Sequence, residues 1–267
     1  MTDSSTDRPR ALVTGASSGI GEAFARALAV RGEDLVLTAR SGDRLQALAD
    51  ELAARHHVRA DVIGADLADP GAPDAIVAEL RARGIAIGTL INNAGFGSHG
   101  RFDQLGGAHE RAEVMVNVFA PVALAHALLP AMIARRSGAI VNVASTAAFQ
   151  PVPYMATYGA TKAFVLSFSE ALAEEVRAHG VKVVALCPGQ TSTAFFTGME
   201  EARVGRARTS EQVVATAFHA LERGRVVAVD GWANYVLANA GRFAPRRLTA
   251  AVAARLQRPT HLRSGVN

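Results

Sequence analysis

Seven short runs of aliphatic residues recur along the chain, and each is followed by a longer stretch with helical patterning. The runs are Ala11–Thr14, Asp34–Thr38, Arg59–Ala65, Thr89–Asn92, Ala139–Val143, Val181–Leu186 and Arg225–Val229. The helical stretches lie near 19–31, 43–55, 73–83, 108–135, 156–179 and 210–223. The runs are continuously apolar instead of alternating, as in strands buried on both faces of a parallel sheet. Strand-helix alternation then demands crossovers that lay helices on both faces of that sheet. The expected fold is therefore a doubly wound α/β domain with seven parallel strands. Residues 1–9 are expected to form a disordered tail. The rest, 10–267, reads as a single domain with a helical extension from about 231 (Trp232–Ala240 and Arg247–Gln257).

Composition narrows the function classes. Hydrophobic residues make up 49% of 267, enough for a sizeable core. The single cysteine, Cys187, excludes an intrachain disulfide framework and reads as a buried strand residue with no base beside it. The net charge is +4 and 26 of the 28 basic residues are arginine, but they are scattered without a basic run, so no nucleic-acid partner is expected. The eight histidines form no ligand pattern; His56 and His57 are adjacent and cannot share a helix face, so no metal is expected. Val114–Ala134 is long enough and free of charge enough to span a bilayer, but Asn117, Pro121, His126 and Pro130 interrupt it. Burial between the sheet and a partner subunit is the expectation there, without a membrane contact. Met1–Arg10 lacks the apolar core of a signal peptide, which makes the cytoplasm the expected location.

Three segments carry chemistry. The first strand runs into Gly15-Ala16-Ser17-Ser18-Gly19-Ile20-Gly21 and then a helix. Glycines at such a turn let backbone approach a pyrophosphate, and the helix N-terminus offers free N–H groups and a favourable dipole. The spacing differs from G-x-G-x-x-G, and glycine turns also serve purely structural ends. Tyr158 and Lys162 stand four residues apart on one helix face. A phenol of ordinary pKa about 10 shuttles protons at neutral pH only when a nearby cation favours its ionised form; the same pair is also common on plain surfaces. Ser145 follows the fifth strand at the edge where open α/β sheets bind ligands, where it could polarise a carbonyl or cap a turn. Asn117 lies inside an apolar helix, and Pro121, four residues on, has no N–H to bond its carbonyl, leaving that carbonyl for a water.

These elements in this order resemble the short-chain dehydrogenase/reductase family in its compact, single-domain Rossmann-type branch. The resemblance covers about residues 10–230 and rests on Thr14 through Gly21, Asp66-Leu67, Asn92-Asn93-Ala94-Gly95, Asn117, Ser145, Tyr158 with Lys162, and Pro188-Gly189 followed by Thr191 and Thr193. It implies that Tyr158 is the general acid in reduction and the base in oxidation. Lys162 would lower the Tyr158 pKa and hold the nicotinamide ribose, Ser145 would orient the substrate carbonyl, and Asn117 would hold a relay water through its backbone. Gly15, Ser17, Ser18, Gly19, Ile20 and Gly21 would cradle the pyrophosphate; Asp66 and Leu67 would contact the adenine, although Asp66 can equally cap a turn. Asn93, Ala94 and Gly95 would line the adenosine side, and Pro188, Gly189, Thr191 and Thr193 would fix the carboxamide. The second strand ends in Thr38-Ala39-Arg40 with no carboxylate where members preferring NAD carry one, so Arg40, with Arg44 near it, implies NADP(H).

The expected function is hydride transfer between NADP(H) and an apolar ketone or alcohol. The alternatives are a 3-oxoacyl or steroid-type ketone reductase of the same family, and a non-catalytic NADP-binding redox sensor. Phe195, Phe196 and Met199, with Phe149 through Tyr154, suggest an apolar pocket. Trp232, Tyr235, Phe243 and Arg246-Arg247 suit a pocket lid, an oligomer contact or an interfacial helix. A homodimer or homotetramer is expected through 108–135 and 156–179, whose apolar residues include Val114, Val118, Val122, Leu128, Met132, Phe164, Phe168 and Leu172.

Overall fold

The computed structural model describes residues 8–191, 207–241 and 245–259; Thr193, Phe195, Phe196, Met199 and Phe243 lie outside the described residues, as does the expected tail up to residue 7. Pro9 already rests on the backbone of Gly88. Seven strands, β1 (Arg10–Thr14), β2 (Leu35–Ala39), β3 (Ala60–Gly64), β4 (Ile87–Asn92), β5 (Gly138–Val143), β6 (Val181–Cys187) and β7 (Val227–Val229), form one parallel sheet in the order β3-β2-β1-β4-β5-β6-β7. The order reverses between β1 and β4, and their carboxyl ends open the crevice where such sheets take ligands. Leu12, Leu37, Leu90, Ile91, Ile140 and Leu186 are fully buried, which is why these strands carry no polar alternation.

Helices α1 (Gly19–Val30), α2 (Gly42–His56) and α7 (Ser210–Glu222) pack with Phe24, Leu45, Leu52 and Phe218 on one face of the sheet. Helices α3 (Ala72–Ala82), α5 (Ala120–Ala134) and α6 (Ala156–Val176) supply Ile76, Leu80, Leu124, Met132, Leu172 and Val176 to the other face, and α4 (Gly107–Val114) packs against α6. The single long helix expected over 108–135 is instead broken at Met115–Phe119 by a π turn, in which the Ala120 N–H bonds the Met115 carbonyl five residues back. Pro121 is the physical reason: without an N–H it interrupts the i→i−4 ladder, and the wider turn absorbs the gap.

A buried polar ladder sets the register of α6 on the sheet. Asn92 of β4 donates to Asn142 of β5 at 2.9 Å, Asn142 donates to the Ser169 hydroxyl at 2.9 Å, and Ser169 donates to the Val165 carbonyl at 2.6 Å. Every side-chain donor named here is used inside the core, and Asn92 Oδ1 is the one buried acceptor of the ladder left without a partner among the described residues. The set of apolar residues expected to reach a partner subunit needs correction. Met132 and Leu172 are buried against the chain's own sheet, while Val114, Phe119 and Phe164 are the exposed ones at 42%, 41% and 44%.

After β7 come α8 (Trp232–Ala240) and α9 (Arg246–Gln257). The entry to α8 is held by Asp230, fully buried, which accepts from Arg208 Nε and Nη2 at 2.7 and 3.0 Å and from the Thr216 hydroxyl at 2.6 Å. Removing one partner of a buried pair leaves the other charge without compensation. Arg208→Met is expected to destabilise the fold by about 2–3 kcal/mol, below the range for fully buried pairs because the arginine keeps part of its side chain in water. Thermal denaturation of the two proteins checks it, and equal midpoints would contradict it.

Candidate active site

At the carboxyl edge of β1, Gly15 and Gly19 hold φ of 64° and 59°, values that a side chain would strain. A Cβ on Gly21 would run into the Gly15 carbonyl oxygen, so α1 can approach the turn only because this residue is glycine. Ser18, the N-cap of α1, makes no side-chain cap bond, so no cap hydroxyl occupies the first N–H groups of the helix. This glycine cradle at an uncapped, positively polarised helix end fits a dinucleotide pyrophosphate. Thr14 and Asn93 brace it: the Asn93 and Ala94 N–H groups both donate to Thr14 Oγ1 at 2.9 Å, and Asn93 Nδ2 donates to the Thr14 carbonyl at 2.9 Å. The Thr14 hydroxyl, visible in the sequence only as part of a motif, thus joins β1 to the loop after β4.

Around this cradle the other nucleotide-side candidates differ in placement. Arg40 is exposed at the end of β2 and has no ion-pair partner among the described residues. Asp66 is exposed and its Oδ1 accepts from the Ala68 N–H at 3.0 Å, forming the turn cap. Leu67 is buried in the core. Pro188 and Gly189 follow β6, and Thr191, also buried, donates from Oγ1 to the Gly189 carbonyl at 3.2 Å.

The second cluster forms where α6 crosses the ends of β4 and β5. Lys162 is buried, and its Nζ donates to the Val143 carbonyl, the last of β5, at 2.8 Å. It stands 5.7 Å from the centre of the Tyr158 ring, also buried. Burial pushes the Lys162 ammonium down to about 8, opposed by the negative charge of Glu113. Ser145 caps the short 3₁₀ turn Thr146–Phe149 by accepting from the Ala147 N–H at 3.1 Å, so both readings of this serine hold one geometry: a cap at the sheet edge that also lines the cavity. Asn117 acts through its side chain as well. Nδ2 donates to the Phe96 carbonyl at 2.8 Å and to the Thr161 hydroxyl at 3.1 Å, and Oδ1 accepts from the Phe96 N–H at 3.1 Å. Glu110, Glu113 and Ser98 are not evident from sequence, because two acidic residues in an amphipathic stretch read as solvated; here both glutamates are buried. Cys187 is buried, and burial pushes its thiol up to about 12.

Ser145 and Tyr158 stand at one end of a cavity of about 500 Å³. Val152 and Met155 form one wall, and Leu237, Leu248, Val252 and Leu256 of α8 and α9 form the roof. The extension beyond Asp230 therefore covers the cavity, the placement that the pocket-lid reading requires. Asn234 of α8 packs so closely on Gly189 that a Cβ there would collide with its amide, which ties the extension to the loop after β6.

The short chain dehydrogenase family model matches residues 9–203. The chain belongs to this family. The family is one of oxidoreductases that use nicotinamide cofactors, and the Rossmann-type sheet of this chain is the family's. It is 35% identical over 198 residues to the very-long-chain 3-oxoacyl-CoA reductase of Bos taurus, covering 68% of this chain and 59% of that protein. The first curated relatives are longer, and the chain spans 57% to 59% of their length. A short-chain dehydrogenase from Sphingobium yanoikuyae in complex with NADPH superposes with a TM-score of 0.80 at 36% identity, over 90% of this chain and 95% of that one. The bulky-bulky ketone specific alcohol dehydrogenase from Comamonas testosteroni gives 0.76 at 34% identity, over 91% and 99%.

The cradle geometry makes a direct prediction. Gly21→Ala forces α1 away from the turn and is expected to weaken nicotinamide nucleotide binding about tenfold or more, the scale of roughly 1.4 kcal/mol. Quenching of Trp232 or direct calorimetry, with far-UV circular dichroism to confirm the fold, checks it; unchanged affinity would contradict it.

Proposed function

We propose that this protein is an NADP(H)-dependent reductase of ketones, or dehydrogenase of the corresponding alcohols, with a bulky apolar substrate. One observation carries the reading: Ser145 and Tyr158 line the same cavity as the apolar side chains of Val152, Met155, Leu237, Leu248, Val252 and Leu256, with the Lys162 ammonium 5.7 Å from the phenol ring centre. A nicotinamide cofactor held at the glycine cradle would supply the hydride for the carbonyl carbon. The chain does the rest. The Ser145 hydroxyl donates to the substrate oxygen and orients it, and the Tyr158 hydroxyl gives that oxygen its proton. Lys162 favours the phenolate that remains and holds the ribose hydroxyls, while Asn117 keeps the neighbouring loop in place and offers its backbone carbonyl to a relay water. Gly15, Ser17, Ser18, Gly19, Ile20 and Gly21 bind the pyrophosphate, with Asn93, Ala94, Gly95, Asp66 and Leu67 on the adenosine side. The apolar roof excludes water from the reacting carbon and selects hydrophobic groups.

Arg40 supports the choice of cofactor. A 2′-phosphate carries close to two charges at neutral pH, and a planar guanidinium can engage it with two hydrogen bonds. The NADPH bound to the similar Sphingobium protein supports the same reading. A 3-oxoacyl chain on an acidic carrier is a second reading, favoured by Arg246, Arg247 and Arg255, exposed on α9, and by the lack of any acidic residue after Asp230. We infer that the exposed Val114, Phe119 and Phe164 pair with a second copy across a two-fold axis, giving a homodimer or a homotetramer.

Two variants test the mechanism and the cofactor. Tyr158→Phe removes only the transferable proton and is expected to cut kcat by about 10² to 10⁴ while NADPH affinity stays. A Tyr158→Phe enzyme that turns over ketones at the parent rate would overturn the mechanism. The parent should prefer NADPH over NADH in kcat/KM, and Arg40→Asp should shrink or reverse that ratio. Equal or better kcat/KM with NADH in the parent would overturn the cofactor assignment.

A further inference from the structure

Glu113 takes no part in the mechanism above, yet it is fully buried in the last turn of α4, one helical turn before Asn117. Its Oε2 accepts from the Ser98 N–H at 2.9 Å and from the Ser98 hydroxyl at 2.6 Å. Its Oε1 is buried and has no hydrogen-bond partner among the described residues. A carboxylate so enclosed is costly unless a charge or a set of donors compensates it. Ser98 supplies the donors. The opposite charge is on α6: the buried Lys162 ammonium feels Glu113 as the foremost charge that favours its protonated form.

The loop from Gly95 to Ser98 lies between these groups. A Cβ on Gly95 would sit 3.0 Å from Asn117 Oδ1 and 3.4 Å from Lys162 Nζ, and one on Gly97 would sit 2.9 Å from the Tyr158 ring. Asn117 holds this loop at Phe96 and Glu113 holds it at Ser98, so both anchors come from one helical segment and the loop's glycines face the two side chains that the reaction uses. Neighbouring Glu110 hydrogen-bonds Thr157, the residue before Tyr158, so α4 braces the catalytic helix as well.

We propose that Glu113 is a positioning residue: it fixes the loop from Gly95 to Ser98 against Tyr158 and Lys162, and through that placement sets the surroundings of the buried lysine. The inference rests on the assignment of Tyr158 and Lys162 to the reaction. The other titratable groups facing this pair are Glu110 and His109, on the same helix as Glu113, and the Cys187 thiol of β6. The Glu113 carboxyl stands above the ordinary carboxylate range: desolvation pushes it up, with the Glu110 charge adding to the rise, and the two Ser98 hydrogen bonds and His109 pull it only part of the way back.

The sequence offers an unusually clean readout, since Lys162 and Lys182 are its only lysines. In protein labelled at the lysine Cε with ¹³C, two signals are followed against pH, and Lys182→Arg assigns them. Lys162 in the parent should titrate near 8. In Glu113→Gln, which keeps an acceptor oxygen for Ser98 and loses the charge, the midpoint should fall by about one pH unit. Ketone reduction should lose about tenfold in kcat, with KM for NADPH within about twofold of the parent. A folded Glu113→Gln protein whose Lys162 midpoint equals the parent's overturns the inference. Should that variant not fold, Glu113→Asp is read instead: it keeps the charge but draws the carboxylate one methylene away from Ser98, so kcat should fall, and turnover equal to the parent's overturns the inference. The titration needs no substrate, so it decides the role of Glu113 even if no ketone is reduced.

Discussion

A buried ammonium bonded to the last carbonyl of a central strand organises the working end of this protein. Lys162 reaches from α6 to the Val143 carbonyl, and that one hydrogen bond ties the catalytic helix to the sheet edge where the ligand crevice opens. The cost of burying the charge is visible in the lysine itself, pushed down to about 8, and is offset by the carbonyl and by the Glu113 carboxylate. Everything around it serves to keep the lysine and Tyr158 in one orientation. The ladder Asn92–Asn142–Ser169 fixes how α6 lies along the strands, and the Asn117 and Glu113 anchors fix the loop on its other side.

The two halves of the site are built differently. The nucleotide half is backbone: positive φ at Gly15 and Gly19, an uncapped helix end, and a Thr14 hydroxyl that accepts two N–H groups of the next loop. Such a surface suits a pyrophosphate. The substrate half is side chain, with Ser145 and Tyr158 at its base and a roof of Leu237, Leu248, Val252 and Leu256. Since the roof belongs to the extension after Asp230, substrate selection can change there without disturbing the lysine or the cradle. The Arg208–Asp230 pair is the hinge point at which that extension leaves the sheet.

The central strands are legible in the sequence because burial on both faces demands uninterrupted aliphatic runs, and the edge strands β3 and β7, each with a single buried residue, are still readable within a few residues. The glycine turn, Tyr158, Lys162, Ser145 and Asn117 are legible because their spacing is local. What stays hidden depends on contacts distant in sequence. The pairing of Glu113 with Ser98 crosses 15 residues of loop and helix, and that of Asn92 with Asn142 crosses 50. Neither leaves a periodic trace. Met132 and Leu172 read as outward-facing because a helix apolar all round does not reveal which face meets its own sheet. The π turn at Met115–Phe119 is half visible: Pro121 announces a broken ladder, but not that a wider turn, with the helix continuing beyond it, repairs the break.

The central claim is that a hydride passes from NADPH to a carbonyl carbon held between Ser145 and Tyr158. Deuterium tracing tests it most directly. The protein is mixed with NADPH deuterated at C4 of the nicotinamide and with a panel of bulky apolar ketones, and the alcohols formed are analysed by mass spectrometry. The account predicts at least one alcohol carrying a single deuterium at the carbinol carbon. Firm NADPH binding with no labelled alcohol from any ketone in the panel would contradict it and favour a protein that senses the cofactor without using it.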